Sequence, residues 1–560
     1  MQSGTAAADG RTDVEGFGSL VELVSDMRSS WNHPTDQVWR QLDPELWKIT
    51  HNPWHVVPEN AVRILKDGKE NNPVTKQATE LRYAVRLRVV VKYFGQMCLV
   101  LAALTLTPLV MSLISGETHI GLRYGMVIGG LVVLGAAVAR LRAPTSVQMN
   151  EGMLLVALMF LFTPLVMAYP MMGFGLSFPD AFFEAVSGVT TTGLSTQATL
   201  VGAPATFLFS RAWMQWYGGL GIVVLALALV MQSGLQAKGL AVNEVEAGDL
   251  VGSTKAHMRR VLKVYGALTV IAVVGSLLAG LGLFDAVLYT LAAISTGGFA
   301  ARDGSLATLG WPAQAWITLT CLAGAVPLTL YHGIFRQKQR MTVDTLQLLA
   351  VVSAAVLATL LLGASMRLLG GLPWADVFHQ APLLGFSAQT TAGFSAMPAS
   401  QLDPGSKLVT IVSMLIGGGA GSTAGGFKML RLLIAVSVFR LIIVRTCLSR
   451  HAVIEPRLAR HRLQTDEIQE ALLLILLFVT VIAVSCLPFI ASGYDPLDAL
   501  FEVVSATGTV GLSTGVTSAA LPAYLKGVLC ADMLMGRLEI IAWLVILLPG
   551  TWFGRRMEVP

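Results

Sequence analysis

Long apolar stretches separated by short polar ones make up most of this chain, after a polar start of about 85 residues. Ten of them approach or exceed the ~20 residues that an α-helix needs to cross a bilayer. They lie at 89–114, 121–140, 151–172, 206–235, 258–283, 312–335, 343–369, 407–446, 467–491 and 523–550. The eighth is too long for one plain helix. The pattern predicts an all-α membrane protein with ten spans.

Composition supports the same class of protein. Of the 560 residues, 54% are hydrophobic and only 13% are charged, and a soluble chain of this length would expose more charge. The five cysteines have no paired spacing, so they indicate neither a disulfide framework nor a metal site. The net charge of +5 reflects basic loops and gives no reason to invoke nucleic acid. No cleavable signal peptide is visible in the polar start.

Basic residues predict the orientation of the spans. Arg and Lys cluster at the ends of particular spans: Arg82, Arg86, Arg88, Lys92, Arg140, Arg142, Arg259, Arg260, Lys263, Arg336, Lys338, Arg340, the run from Arg440 to Arg462, Arg555 and Arg556. All of them fall on one side when the ten spans are drawn in order, and that side is then cytoplasmic. We expect a multi-pass protein of the inner (plasma) membrane with both termini in the cytoplasm.

One short phrase occurs four times, each time between two predicted spans on the outer side. The copies are Thr191-Thr192-Gly193, Thr296-Gly297-Gly298, Thr391-Ala392-Gly393 and Thr509-Val510-Gly511. Leu or Phe follows each copy, and then Ser or Ala. The repetition predicts four helix–pore loop–helix repeats around one pore, at 146–250, 251–340, 341–462 and 463–560. Two extra transmembrane helices (86–145) and a cytosolic extension (1–85) precede them.

The phrase has the chemistry of a cation filter. A pore must replace the water around an ion with fixed oxygens, and backbone carbonyls can do this where glycine permits unusual dihedral angles. The threonine can add a hydroxyl oxygen at the inner end. A short helix is expected before each copy, beginning near Pro179-Asp180 in one case and with Asp498 as candidate N-cap in another. Thr-Gly dipeptides are also common at helix ends, but a fourfold repetition favours the filter.

Six glycines interrupt the eighth span: Gly417, Gly418, Gly419, Gly421, Gly425 and Gly426. Each costs a helix interior about 1 kcal/mol relative to alanine, so the segment cannot hold a stable helix. Its backbone groups need partners, which places it in the pore cavity and predicts a flexible gate. A close-packed helix crossing is the alternative. A phosphate-binding loop is excluded, because Lys428 neither follows a glycine nor precedes Ser or Thr.

Arg537 is a charged residue inside the last span, where such a side chain faces the bundle interior and has a partner. The candidates are the carbonyl groups of the glycine-rich segment, or a structural pairing with Glu184 or Glu502. In the first case its charge opposes ion passage until it moves. Glu184 and Glu502 occupy equivalent positions, but the second repeat has Tyr289 there. A ring of four carboxylates is therefore excluded, and hydrogen bonding around the short helices is the expected role.

Two further stretches accompany the four phrases, and together they resemble a known family. They are Trp216-Tyr217-Gly218-Gly219-Leu220-Gly221-Ile222 and the glycine-rich segment ending in Phe427-Lys428. From about residue 88 to its end the chain resembles the Trk/Ktr/HKT superfamily of potassium transporters, and its two extra helices make it most similar to TrkH-type subunits.

This resemblance implies one pore per chain, a homodimer and a cytosolic nucleotide-binding (TrkA-like) regulatory subunit. Potassium is then the substrate, no cofactor is expected, and the chain is not an enzyme. The resemblance also implies a gating role for the glycine-rich segment and Arg537. In relatives that pass sodium a serine can replace the first filter glycine, so the four glycines favour potassium.

Residues of about 20–60 resemble the amino-terminal segment of bacterial α-glucan phosphorylases, without that enzyme's catalytic regions. The role of the extension is open, and no activity is inferred from it.

Three functions are compared. The first is potassium uptake, either channel-like or coupled to protons or sodium as in a symporter, with sodium passage as a variant. The second is an inverted-repeat transporter of another solute. The third is a membrane-tethered glucan enzyme or glucan-binding module.

Overall fold

The structure is a computed structural model that describes residues 84–144, 147–221, 250–334, 342–447, 455–459 and 461–552. All of them belong to one compact unit, Tyr83–Pro560. Almost all of the predicted extension (1–85) lies outside the described residues. So do residues 222–235 of the predicted fourth span and the basic residues Arg336, Lys338, Arg340, Arg555 and Arg556.

Two helices precede the repeats, α1 (Leu87–Ile114) and α2 (Thr118–Ala139). They approach each other closely at two glycines: a Cβ atom on Gly135 would lie 2.9 Å from the carbonyl oxygen of Gly95. Small residues at such a crossing let two membrane helices pack by van der Waals contact.

The rest of the described chain contains four copies of a long helix, a short helix, a Thr-x-Gly loop and a second helix. The first repeat contains α3 (Met149–Met171), α4 (Phe178–Val189) and α5 (Ala205–Gly219), and the second contains α6 (Leu250–Leu278), α7 (Leu283–Ile294), α8 (Trp311–Ala325) and α9 (Leu328–Ile334). The third repeat contains α10 (Val343–Leu368), α11 (Trp374–Gln389), α12 (Pro404–Ile416) and α13 (Met429–Thr446). The fourth contains α14 (Thr465–Ala491), α15 (Pro496–Thr507), α16 (Ala523–Arg537), α17 (Ile541–Leu547) and α18 (Pro549–Trp552). The predicted all-α fold with four helix–pore loop–helix repeats is confirmed.

Length separates the helices that can cross a bilayer from those that cannot. Within the described residues, α1, α2, α3, α6, α10 and α14 are long and apolar enough to do so. The short helices α4, α7 and α15 have 12 residues each, which is about 18 Å of helix. Their central side chains, including Phe183, Tyr289 and Phe501, are fully buried. The short helices therefore lie inside the bundle and end within it.

The second helix of every repeat ends at a similar place, between 23 and 27 residues after the glycine of its Thr-x-Gly loop. The sequence predicted a break only in the eighth span, and the predicted unbroken sixth and tenth spans are wrong. The sixth breaks at Val326, which is extended because Pro327 follows it. The tenth breaks after Arg537, where Glu539 and Ile540 have φ angles of 57° and 60°.

A small antiparallel hairpin, β1 (Arg457–Leu458) and β2 (His461–Arg462), follows α13 within the predicted basic run. Leu458 and Leu463 pack in a small cluster with Ile434 of α13 and Ala471 of α14. The hairpin was not predicted.

Candidate ion pathway

Each Thr-x-Gly loop begins at the C-cap of the short helix that precedes it. At the end of α4, the N–H of Thr191 donates to the carbonyl of Gly188 and the N–H of Thr192 donates to the carbonyl of Ser187. The same pair of bonds closes α7, α11 and α15. This is the Schellman arrangement, in which the first residue beyond the cap adopts a left-handed conformation and is usually glycine.

Threonine occupies that left-handed position in all four loops. The φ angles are 57° at Thr191, 52° at Thr296, 54° at Thr391 and 49° at Thr509. A β-branched residue is rare there, and such a conformation costs of order 1–3 kcal/mol unless the surroundings hold it. The glycine two residues later also has positive φ in every loop, while the residue between does not. Left-handed and ordinary φ angles therefore alternate along each loop.

The four loops form a closed ring. A Cβ atom on Gly193 would collide with the carbonyl oxygen of Gly297 in the second loop, and one on Gly298 would collide with that of Ala392 in the third. A Cβ atom on Gly393 would meet the oxygen of Val510 in the fourth loop. On Gly511 it would meet that of Thr192 in the first. The predicted filter residues of all four repeats therefore converge on one centre, in the order of the chain.

Side chains from behind the ring hold the loops in place. The N–H of Gly193 donates to the hydroxyl of Ser187 over 3.0 Å, and the N–H of Gly511 donates to that of Ser505 over 3.1 Å. Gln215, on α5 of the first repeat, accepts from the N–H of Phe299 over 3.1 Å and donates to the carbonyl of Gly297. Gln215 was not predicted, because a contact between repeats follows no local period in the sequence.

Glu184 and Glu502 are both fully buried beside the ring and hold the segment that follows their own glycine. The expected hydrogen-bonding role is what their contacts provide, but the two sites differ. Nε of Arg211 lies 3.1 Å from a carboxylate oxygen of Glu184. Glu502 has no basic partner among the described residues and accepts instead from the hydroxyl of Thr517 over 2.7 Å.

Two ion pairs join neighbouring repeats at the N-terminal ends of the short helices. Asp498 on α15 is paired with Lys407 of the third repeat, and Asp180 on α4 is paired with Lys526 of the fourth, both at 2.6 Å. The prediction of Asp498 as N-cap is wrong. Asp495 caps α15 by accepting from the N–H of Asp498, since the helix begins one turn earlier.

A cavity of about 240 Å³ lies over one side of the ring, which we call the outer side, and residues of all four repeats line it. Among them are the four ring glycines, Ser195, Ser395 and Ser513.

The glycine-rich loop, residues 417–428, lies against the other (inner) side of the ring. It contains no helix, which excludes a close-packed helix crossing. The N–H of Gly425 donates to the hydroxyl of Thr391 over 2.7 Å, and the N–H of Gly426 donates to the carbonyl of Gly508 over 3.1 Å. A Cβ atom on Gly425 would collide with the hydroxyl of Thr509. The loop therefore covers the threonine ends of the third and fourth Thr-x-Gly loops.

The six predicted gate glycines occupy positions of the glycine-rich loop where the backbone conformation or the available space favours glycine. Gly417, Gly421 and Gly426 have positive φ. At all of the six except Gly421, a Cβ atom would lie within 3.0 Å of a neighbouring atom. Thr423 also anchors the loop, because its hydroxyl lies 3.1 Å from the carbonyl of Ile294 and 2.9 Å from that of Gly324. This anchor in the second repeat was not predicted.

Arg537 binds backbone carbonyl groups, as the first of its two predicted alternatives requires. Its guanidinium donates to Thr423 over 2.7 Å, and to Gly218 and Gly219 over 2.8 Å each. One side chain of the fourth repeat thus ties the glycine-rich loop to the end of α5. The pairing with Glu184 or Glu502 is wrong, since those acids face the outer end of the ring.

Comparisons with known proteins agree with this architecture. A family model for TrkH, described as a cation transport protein, matches residues 134–345 and 337–549. A second model, described as a protein of unknown function (DUF3417), matches residues 15–95, which include the phosphorylase-like stretch.

Similar proteins span most of the chain. The Trk system potassium uptake protein TrkI of Halomonas elongata is 28% identical, covering 83% of this chain and 96% of its own length. The uncharacterized cation transporter MJ1485 of Methanocaldococcus jannaschii is 28% identical, covering 81% and 93%. The Trk system potassium uptake protein TrkH of Vibrio parahaemolyticus is 30% identical, covering 67% and 80%.

The crystal structure of the potassium transporter TrkH from Vibrio parahaemolyticus has the same fold. It superposes with a TM-score of 0.71 at 24% identity and covers 84% of this chain and all of that one. The family model alone matches well over half of the sequence. This multi-pass membrane protein belongs to the TrkH family of cation transport proteins.

Proposed function

We propose that the chain takes up potassium selectively through the ring of Thr-x-Gly loops. The filter residues are those of 191–193, 296–298, 391–393 and 509–511, and potassium is the transported substrate. The observation that carries the proposal is the closed ring, in which each glycine packs against a carbonyl of the next loop. Two relatives with high coverage are named as potassium uptake proteins, which supports potassium over other cations.

The physical argument is the replacement of hydration. An unpaired ion in an apolar medium is unfavourable by tens of kcal/mol in the idealised Born treatment, so oxygens must surround it throughout its passage. We assign the carbonyl groups of each loop to the side facing the axis, where they would surround an ion, and the alternating signs of φ support this assignment. The hydroxyl oxygens of Thr191 and Thr509 are buried without a partner among the described residues, as ligands for a passing ion would be.

The glycine-rich loop is the gate in this proposal, and Arg537 holds it in the closed position. With the loop against the threonine ends of the ring, an ion leaving the filter meets backbone atoms and a nearby positive charge. Transport requires the loop to leave Thr391 and Gly508, and it can do so only when Arg537 releases Thr423.

We further propose the setting in which the chain works. It lies in the inner membrane with both termini in the cytoplasm, forms a homodimer, and is regulated by a cytosolic nucleotide-binding subunit. The chain itself performs no enzymatic reaction.

Ion flux into proteoliposomes tests the selectivity. We expect rubidium, a potassium analogue, to enter much faster than sodium, and Gly393→Ser to reduce that preference, because the new side chain meets the carbonyl of Val510. Gly202 is the matched control: it also has positive φ but has open space around it, so Gly202→Ala should keep the preference. Equal rubidium and sodium fluxes, unchanged by Gly393→Ser, would contradict the filter assignment.

A further inference from the structure

We propose that the outer side of the ring carries a second kind of cation site, formed by the hydroxyl oxygens of Ser195 and Ser513. Glu184 and Glu502 are its positioning residues, since they direct the hydroxyl hydrogens away from the cavity. The ligand is a monovalent alkali cation that still holds part of its water. This inference rests on the proposed function and adds a site of capture before the filter.

The hydrogen bonds determine which way each hydroxyl points. Ser195 donates to Oε1 of Glu184 and Ser513 donates to Oε1 of Glu502, both over 2.5 Å. The same Oε1 atoms accept backbone N–H groups, from Thr196 over 2.9 Å and from Thr514 over 2.8 Å. An ionised carboxylate accepts only, so each serine is the donor to its ionised acid.

Each serine then has one lone pair left. A hydroxyl has one hydrogen and two lone pairs. The N–H of Gln197 uses one lone pair of Ser195 over 3.2 Å, and the N–H of Gly515 uses one of Ser513 over 3.0 Å. The remaining lone pair has no partner among the described residues, and both serines line the outer cavity. Oxygens held in this way present partial negative charge to an arriving cation.

The second and third repeats lack this pairing of a buried acid with a serine. In the second repeat the acid is replaced by Tyr289, which donates to the carbonyl of Ser305 over 3.0 Å, and the serine is replaced by Ala300. The third repeat keeps Ser395 but has Leu384 in place of the acid. Gly511 packs against Gly193, so the two equipped repeats are neighbours. The site therefore lies to one side of the axis, where the first and fourth repeats meet.

The two halves of the site differ in charge. Arg211 beside Glu184 compensates the acid of the first repeat, whereas Glu502 has only hydroxyl and N–H donors among the described residues. The fourth-repeat half is therefore the stronger one, and Ser513 is the residue to change.

Rubidium uptake measured against rubidium concentration tests the site. Losing one oriented oxygen should raise the half-saturating concentration about fivefold in Ser513→Ala and leave the maximal rate and the rubidium-over-sodium preference unchanged. Alanine is compatible with this backbone, since Ala300 occupies the equivalent position. Tyr289→Phe is the matched control in a repeat without the acid–serine pair, and it should behave as wild type.

Changes at Glu502 separate positioning from a merely structural role. Glu502→Leu removes the acceptor and should raise the half-saturating concentration at least as much as Ser513→Ala, because it also releases Thr514 and Thr517; adding Ser513→Ala to it should have no further effect. Glu502→Gln keeps a carbonyl oxygen for Ser513 and should restore nearly wild-type half-saturation. A wild-type value in Ser513→Ala, an additive double variant or a Gln variant as weak as Leu would overturn the inference. A wild type without rubidium preference would instead overturn the proposed function.

Discussion

The outer and inner halves of the central pathway differ in symmetry. The ring is built four times over, with the same C-cap, the same left-handed threonine and the same crowded glycine in every repeat. The inner cover is built once, from the glycine-rich loop of the third repeat and Arg537 of the fourth. Surrounding an ion with oxygens needs ligands from every direction, whereas stopping it needs only one movable obstacle. In the proposed function, selectivity therefore belongs to the repeated part and gating to the unique part.

The largest effect on rubidium flux is expected from a substitution in the ring, which is the repeated part. Gly511→Ala places a methyl group against the carbonyl of Thr192, and because the colliding atoms are backbone and not the end of a flexible side chain, the ring itself must shift. We expect rubidium flux to fall at least about tenfold, which corresponds to 1.4 kcal/mol or more. Flux assays on the purified protein check this, with Gly202→Ala as control. Normal, selective flux in Gly511→Ala would show that the ring does not carry the ions.

Removing the glycine-rich loop, which is the unique part, should raise rubidium flux. Gly417 and Gly426 already touch, so the chain can be rejoined between them after residues 418–425 are deleted. Rubidium flux should rise several-fold with selectivity retained, because the ring itself is unaltered. Thr423→Val is a milder version that removes the hydroxyl group, which lies near the carbonyl groups of Ile294 and Gly324 and 3.4 Å from the hydroxyl oxygen of Thr296. Unchanged flux in both variants would remove the gate from the proposal.

Arg537→Gln should also raise rubidium flux, by a smaller factor than the deletion. It removes bonds from a charged donor to three carbonyl groups, each worth about 1.5–3 kcal/mol, but leaves the loop in place. Arg123→Gln is the matched control, because Arg123 also binds a carbonyl, that of Tyr169, on the exposed surface. If both variants conduct like wild type, Arg537 serves packing alone.

The smallest effect is expected from the extension. Removing residues 1–80 should leave rubidium flux and selectivity within error of the full chain, since every element of the ring and its cover lies beyond them. A well-folded truncated protein without transport would show that the extension takes part in ion movement.

The sequence predicted the repeated half better than the unique half. Four copies of one phrase identify the loops because each is encoded locally, in a helix end and two left-handed positions. The anchors between repeats, Gln215 and Thr423, follow no period and could not be found. The breaks near Val326 and Glu539 were missed for another reason: apolar composition records membrane depth and not the continuity of a helix, although Pro327 was a local signal for the first of them.

The position of the ion is the most direct test of the ring. A crystal structure with rubidium in place of potassium, using the anomalous signal of rubidium, would locate the transported ion. Density on the axis, enclosed by the carbonyl groups of residues 191–193, 296–298, 391–393 and 509–511, is the predicted result. Rubidium bound only away from that axis, with the ring empty, would contradict it.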